Sequence, residues 1–230
     1  TARSVNLQIG ANEGDLMSIG FDSVRTKDIG SGLRPALTSV GGESTVFDAI
    51  VSGDLILNGS VVNASLADDD AASYDAAASS AIAKVTAINR VTEQSGVFAL
   101  VNETTVQGST MTAPAASLTA GSITINGVAS AAISLGTDNS INRTAVLTAI
   151  NNIADQTGVR AVDTGDDQQG VMLIADDGRN VTIAFAQSLT TANTGLGAAA
   201  THVGTYSLYS TSGEAIRVSH SIGGDITGTG

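Results

Sequence analysis

The chain of 230 residues has no cysteine and no tryptophan, only two prolines, and few aromatic side chains. Without cysteine it has no disulfide, no thiol nucleophile and no zinc–thiolate site. Aromatic residues make up only 3% of the sequence, which argues against a large aromatic-lined pocket, because aromatics dominate binding hot spots. No apolar run approaches the roughly 18 residues that a membrane-spanning helix needs. We therefore expect no membrane partner.

Basic residues are also scarce. The chain has 22 Asp and Glu against 10 Lys and Arg, a formal net charge of −12 at pH 7. Such a charge repels phosphate backbones, so we expect no nucleic-acid partner. The apolar residues are mainly Ala, Val, Ile and Leu, and the β-branched ones among them favour strands.

One sequence pattern occurs twice. An Asn-Gly pair ends a short strand-like run at Asn58 and again at Asn126; Ala-Ile-Asn follows, and then Gln-x-Gly-Val. The step from the second Asn to the later Gly is the same in both copies, 89 to 96 and 151 to 158, whereas the preceding connection is longer in the first copy. An internal duplication with a variable connection indicates a modular structural element.

Periodicity and turn signals predict an α+β fold. We expect strand-rich small modules, each a small antiparallel or mixed sheet with one packed helix, plus an N-terminal β-hairpin with strands at 5–10 and 16–21. The predicted divisions of the chain are 1–43 for the hairpin region, 44–108 for a first module, 109–200 for a second module, and 201–230 for a C-terminal hairpin.

Each module is expected to contain one main helix. The first is predicted over Ala71–Glu93, and the second is predicted to be capped by Asn142 or Thr144. Strands are expected at 122–126 and 131–135. Strands at 171–175 and 181–185 are predicted to form a hairpin, which 206–210 and 215–218 repeat.

The candidate site residues are architectural. The predicted turn residues are Asn58, Gly59, Asn126, Gly127, Asp177 and Gly178. Two isoleucines, Ile88 and Ile150, are predicted to anchor the helices to the sheets.

Motifs of catalysis or metal binding are missing from the sequence. His202 and His220 have no metal-ligand spacing, and no nucleophile elbow, phosphate loop or zinc-protease helix occurs. The carboxylates of 68–70 and of Asp163, Asp166 and Asp167 suit calcium chemically, but their spacing is not that of an EF-hand, and solvated charge is the favoured interpretation. We expect a non-enzyme with no catalytic residue, cofactor or metal.

The second copy resembles the flagellin hook IN motif over residues 121–185. The resemblance rests on Ile-Asn-Gly-Val at 125–128, Ala-Ile-Asn at 149–151, and the Asp-Gly-Arg-Asn-Val run at 177–181. Residues 7–15, Leu-Gln-Ile-Gly-Ala-Asn-Glu-Gly-Asp, resemble the hairpin that follows the N-terminal helices of bacterial flagellins. The first copy departs from the motif, with Leu57 in place of Ile.

The resemblance implies the outer, variable region of a bacterial flagellin: an extracellular structural protein of the flagellum, serving motility and forming an antigenic surface. Residues 1–43 would lie beside the filament core, and 201–230 would return toward it. The long terminal helices are missing, and the chain starts at Thr1 without Met, so we interpret it as a fragment that is monomeric by itself. Its partners in the full-length protein would be other flagellin subunits. O-linked glycans on exposed Ser and Thr suit such a surface, with no residue singled out.

Three alternatives stay open. A hook-associated or filament-cap protein carries the same repeat, but the run at 7–15 favours flagellin. A module that binds a surface glycan or host receptor would need clustered aromatics, and Tyr206 with Tyr209 is too small a cluster. A hydrolase inserted between flagellin ends would need paired catalytic groups, which the sequence does not offer.

Overall fold

The computed structural model describes residues 3–8, 16–21 and 37–221. Strands β1 (Arg3–Gln8) and β2 (Leu16–Phe21) form an antiparallel pair in a compact unit of their own. The predicted N-terminal hairpin is therefore confirmed, while its predicted turn at 11–15 lies outside the described residues.

The remaining described strands are short. In chain order they are β3 (Leu37–Thr38), β4 (Gly42–Glu43), β5 (Ile56–Leu57), β6 (Ser60–Val61), β7 (Val97–Val101), β8 (Thr104–Val106), β9 (Ile123–Ile125), β10 (Val128–Ala129), β11 (Arg160–Asp163), β12 (Val171–Ala175), β13 (Val181–Phe185), β14 (Thr201–Val203), β15 (Tyr206–Ser210) and β16 (Val218–Ser219).

The described residues include five α-helices. They are α1 (Ala81–Asn89), α2 (Thr92–Ser95), α3 (Asn139–Asn151), α4 (Ala154–Thr157) and α5 (Thr191–Thr194). Within the described ranges, none of them has the length and apolar character required to cross a bilayer.

The strands from β3 onward form four antiparallel sheets. Their orders are β3-β15-β7, β16-β5-β6, β11-β12-β8 and β10-β9-β13-β14-β4. This arrangement of small antiparallel sheets with few helices confirms the predicted α+β class.

The sheets and helices form two modules, one nested inside the other. Module one comprises residues 50–101 and 206–221, with β3 added to its sheet; module two comprises residues 104–203, with β4 added. Each has its own core. Tyr206 and Leu208 complete the core of module one, and Val106 belongs to the core of module two. Thus the segment after residue 205 returns to module one.

The predicted helix over Ala71–Glu93 is wrong in its first half, because α1 begins only at Ala81. The Asp70 carboxylate accepts hydrogen bonds from the backbone of Ala72 (2.7 Å) and Ser73 (3.1 Å). This local turn competes with a helix. Ser80 then caps α1 through its side chain. The start of the helix is therefore set by these two side chains and not by the alanine-rich composition.

The second helix also differs from its prediction. The N-cap of α3 is Asp138, whose carboxylate accepts a hydrogen bond from the Ile141 N–H at 3.0 Å, and not Asn142 or Thr144. Asn142 is buried and bonds to both backbone groups of Gly136. The predicted strand at 131–135 is reduced to a single bridge between Ile133 and Gly121.

Both predicted late hairpins are wrong. β12 pairs with β11 and β8, whereas β13 pairs with β9 and β14, so the chain changes sheets at the turn 176–180. In the same way β15 pairs with β7 and β3, and β16 pairs with β5. Turn chemistry predicts where a chain reverses, but it does not determine which strands pair.

Candidate functional site

The Asn-Gly pair closes a two-residue turn in both modules. Asn58 and Gly59 join β5 to β6 with φ of 49° and 88°, and Asn126 and Gly127 join β9 to β10 with φ of 47° and 80°. Two successive positive φ values are the signature of a type I′ turn, which matches the twist of paired strands and favours Asn-Gly.

The turn asparagines also tie the hairpin to the rest of their module. The Asn58 side-chain amide donates to the Ser95 carbonyl (2.8 Å), and its Oδ1 accepts from the Arg217 N–H (2.8 Å). Asn126 makes the equivalent bonds to the Thr157 carbonyl (3.0 Å) and from the Thr182 N–H (2.8 Å). In each module one asparagine thus joins the hairpin, the short helix and a later segment of the chain.

A second pair of asparagines joins the main helix to the sheet. The Asn89 amide donates to the Ala99 carbonyl at 3.1 Å, and Asn89 Oδ1 accepts from the Ala99 N–H at 2.7 Å. Asn151 makes the same two bonds with Ala161, at 3.1 and 2.8 Å. The sequence reasoning missed the helix pair as site residues, although their repetition was visible.

The isoleucine before each helix asparagine is fully buried. Ile88 lies in the core of module one and Ile150 in that of module two, both with 0% exposure. The asparagine and the isoleucine therefore attach the same helix turn to the sheet, one by hydrogen bonds and the other by apolar packing.

The exit from each short helix is also repeated. Gly96 and Gly158 end α2 and α4 in the left-handed conformation, with φ of 68° and 70°. The hydroxyls of Ser95 and Thr157 accept a hydrogen bond from the N–H two residues later, at 3.1 and 3.2 Å. The two copies thus share backbone geometry as well as sequence.

The predicted turn residues Asp177 and Gly178 lie in the turn between β12 and β13. Gly178 has φ 78°, and its N–H donates to the Ala175 carbonyl at 3.1 Å. Burial acts to raise the pKa of Asp177, but hydrogen bonds from Arg179 outweigh it and the pKa is lowered. Arg179 also donates to the Thr157 carbonyl at 3.3 Å, the acceptor shared with Asn126.

Two of the carboxylates weighed as calcium ligands, Asp163 and Asp167, are held by Arg143. Arg143 donates to Asp163 at 2.9 Å and also to Asp167. A hydrogen bond from Asn139, together with Arg143, lowers the pKa of Asp167. Across the described part of the chain no cluster of three or more His, Asp or Glu has metal-binding geometry.

The histidines and tyrosines considered for binding make contacts within the fold. His202 bonds through Nε2 to the Ala198 carbonyl at 2.9 Å, and His220 bonds through Nδ1 to the Ser221 carbonyl at 2.8 Å. Tyr206 is buried in the core of module one, and burial raises its pKa to about 12. Tyr209 stacks on Phe98 with ring centroids 5.2 Å apart.

A groove of about 600 Å³ lies along the two connections between the modules. Glu43, Glu103 and His202 contribute ionisable side chains, and no aromatic residue lines this groove of the described structure. The groove therefore lacks the aromatic stacking surface that sugars commonly use.

Comparison with known proteins gives no family. Neither a scan against protein-family models nor a search of curated proteins finds a match to this chain.

Proposed function

We propose that this chain is the surface-exposed outer region of a bacterial flagellin, a structural component of the extracellular flagellar filament. In the full-length protein its partners are other flagellin subunits, and the modules form an acidic, antigenic coat. The function is mechanical and steric, so no residue acts as a catalyst and no cofactor takes part.

The main support is the repeat itself. The residues that resemble the flagellin hook IN motif, Asn126 with Gly127 and Ile150 with Asn151, make the hydrogen bonds and apolar contacts that hold module two together. Asn58, Ile88 and Asn89 repeat these contacts in module one. The motif thus has a physical role in assembling a module, which suits a structural protein.

The use of polar and aromatic groups agrees with this function. Asp163, Asp167 and Asp177 are engaged by arginines, and Tyr206 is a core residue. These four groups therefore have structural roles in the modules.

Immunogold electron microscopy of intact cells tests the proposal. Antibodies raised against residues 37–221 should label flagellar filaments along their whole length, and prior absorption of the antibodies with the chain should remove the label. Source cells whose gene lacks the codons for residues 37–221 should lose the label and keep their filaments, since the filament core of flagellins is built by terminal helices.

The position of the label separates the alternatives. Gold confined to the hook–filament junction or to the filament tip would replace the proposal by the hook-associated or cap protein. Label elsewhere on the cell, with none on filaments, would refute both flagellar interpretations and lead to glycan-array binding and substrate-turnover assays.

A further inference from the structure

The two modules differ in the length of the connection from hairpin to helix. In module one this connection runs from Val62 to Ser80, and in module two from Ser130 to Asp138. The longer connection contains the turn stabilised by Asp70 and continues to Ala76, a non-glycine residue with φ 52°. We call residues 70–76 the strap.

The strap contacts module two by hydrogen bonds to Asn180, which is completely buried. The Asn180 N–H donates to Ser73 Oγ at 2.9 Å, and its side-chain amide donates to the carbonyls of Asp75 and Ala76, both at 3.0 Å. Thr201 of module two adds a bond from its hydroxyl to the Asp75 carboxylate at 2.7 Å. The left-handed residue Ala76 is thus fixed from outside its own module.

The strap also contacts the Asn-Gly turn of module two. A Cβ atom built on Gly127 would lie 2.4 Å from Cε2 of the Tyr74 ring, whereas nothing lies within 4 Å of one built on Gly59. Both glycines have positive φ, 80° and 88°. Gly59 therefore serves only its own turn, while Gly127 also makes room for a side chain of the strap.

The internal repeat shows that Asn180 is not required to build a module. β12 of module two corresponds to β15 of module one, so position 180 corresponds to position 215, which is an exposed alanine. The hydrogen bonds of the turn asparagines agree with this alignment, because Asn126 bonds to Thr182 as Asn58 bonds to Arg217, and both partners lie 35 residues apart like positions 180 and 215. In the described part of the chain the strap does not bond to position 215 of module one, and this position is alanine where module two has the buried Asn180.

We propose that the strap is a brace that fixes the orientation of module two relative to module one, so that the two modules move as one rigid body. Separate modules within a chain move relative to one another unless a substantial interface prevents it. The strap, which is part of the longer connection in the first copy, adds four hydrogen bonds and the Tyr74 ring to the contact between the modules. This proposal concerns the mechanics of the chain and does not depend on the flagellar function.

Spin-label distance measurements test the brace. Because the chain has no cysteine, Glu93→Cys in α2 and Thr144→Cys in α3 place one label on an exposed position of each module. The doubly labelled chain should give one narrow distance distribution. Asn180→Ala and, separately, Tyr74→Ala should broaden it, because each removes contacts between the strap and module two.

Asn151→Ala is the matched control, since it removes two asparagine hydrogen bonds within module two alone. It should leave the distribution narrow while circular dichroism confirms folding. Strap variants with the width of the parent chain would overturn the proposal, as would equal broadening in the control. If Asn180→Ala does not fold, the exposed Tyr74 carries the test by itself.

A pair of glycine variants gives an independent test of the brace. Gly127→Ala and Gly59→Ala place the same side chain at the same position of equivalent turns, with similar strain from positive φ. Only the first meets the strap. Broadening with Gly127→Ala and not with Gly59→Ala supports the brace, and identical distributions for the two variants contradict it.

Discussion

The Asn151 side chain bonds to both backbone polar groups of Ala161. Its side-chain amide donates to the Ala161 carbonyl, and its Oδ1 accepts from the Ala161 N–H. This pair connects the last residue of α3 to the second residue of β11. A helix asparagine thereby provides both the donor and the acceptor that a neighbouring strand would otherwise offer.

Replacing Asn151 with Ala should lower the free energy of unfolding by about 1–3 kcal/mol, because two side-chain hydrogen bonds to the backbone are lost. Asn152→Ala is the matched control, since this neighbouring asparagine is also exposed and follows α3 as its C-cap. Urea unfolding of both variants measures the difference. Equal losses for the two would mean that the bonds to Ala161 contribute nothing to stability.

Ile150→Ala should lower the free energy of unfolding by about 2–5 kcal/mol, because it leaves a cavity in a packed core. Ile150 is fully buried, whereas Ile141 on the same helix is 68% exposed. Ile141→Ala should therefore change stability by less than about 0.5 kcal/mol. Calorimetric melting of the two variants checks the placement, and a melting temperature unchanged by Ile150→Ala would refute it.

Local features of the fold were predictable from the sequence. The Asn-Gly turns depend on the φ preferences of two residues, and the burial of Ile88 and Ile150 follows from helical periodicity. The part played by Asn89 and Asn151 had a signal too. Asparagine is a poor helix former, yet both copies carry it at the same distance from a glycine.

Pairing across long separations was not predictable. The run 171–185 has the composition of a hairpin, but Leu173 pairs with Val106 while Ile183 pairs with Ile125. The predicted start of the first helix was wrong for a different, local reason. The side chain of Asp70 bonds to the backbone just after it, and Ser80 caps the helix that begins at Ala81. The nesting of module two depends on such pairings and not on any local pattern.

The contribution of Lys84 to stability should rise as pH rises from about 8 to 10.5, because burial lowers the pKa of Lys84 from 10.5 to about 8, against a smaller opposite effect of Asp48. In this window the unfolded chain holds the Lys84 proton while the folded protein has released it, so a higher pH favours folding. Below this window both states are protonated and the contribution is lost. The full change is on the order of 3 kcal/mol.

Lys84→Met tests this origin, because methionine keeps an apolar chain of similar length and has no proton to release. Urea unfolding between pH 8 and 10 should show a shallower rise for Lys84→Met than for the parent chain. An unchanged slope would assign the pH dependence to other groups. Measurement above pH 10 is avoided, since the raised pKa of Tyr206 there makes stability fall with increasing pH.

Module one should fold after module two has been removed. β7 and β15 are antiparallel neighbours in which Val101 lies opposite Tyr206, so the two chain ends left by deleting residues 102–205 are adjacent. Joining them by Asn-Gly creates a two-residue hairpin, and this dipeptide favours the type I′ turn that such a hairpin needs. The shortened chain keeps every residue of the module one core.

The deletion variant should unfold in one cooperative transition and retain the circular dichroism of mixed helix and strand. Its stability should nevertheless be lower than that of the whole chain, because a smaller domain buries a smaller fraction of its surface and the strap has lost Asn180. Adding Ile88→Ala to the shortened chain is the control, since a native core would be weakened further by that cavity. A non-cooperative transition that Ile88→Ala leaves unaltered would show that module one requires module two in order to fold, and that the two cores are not independent.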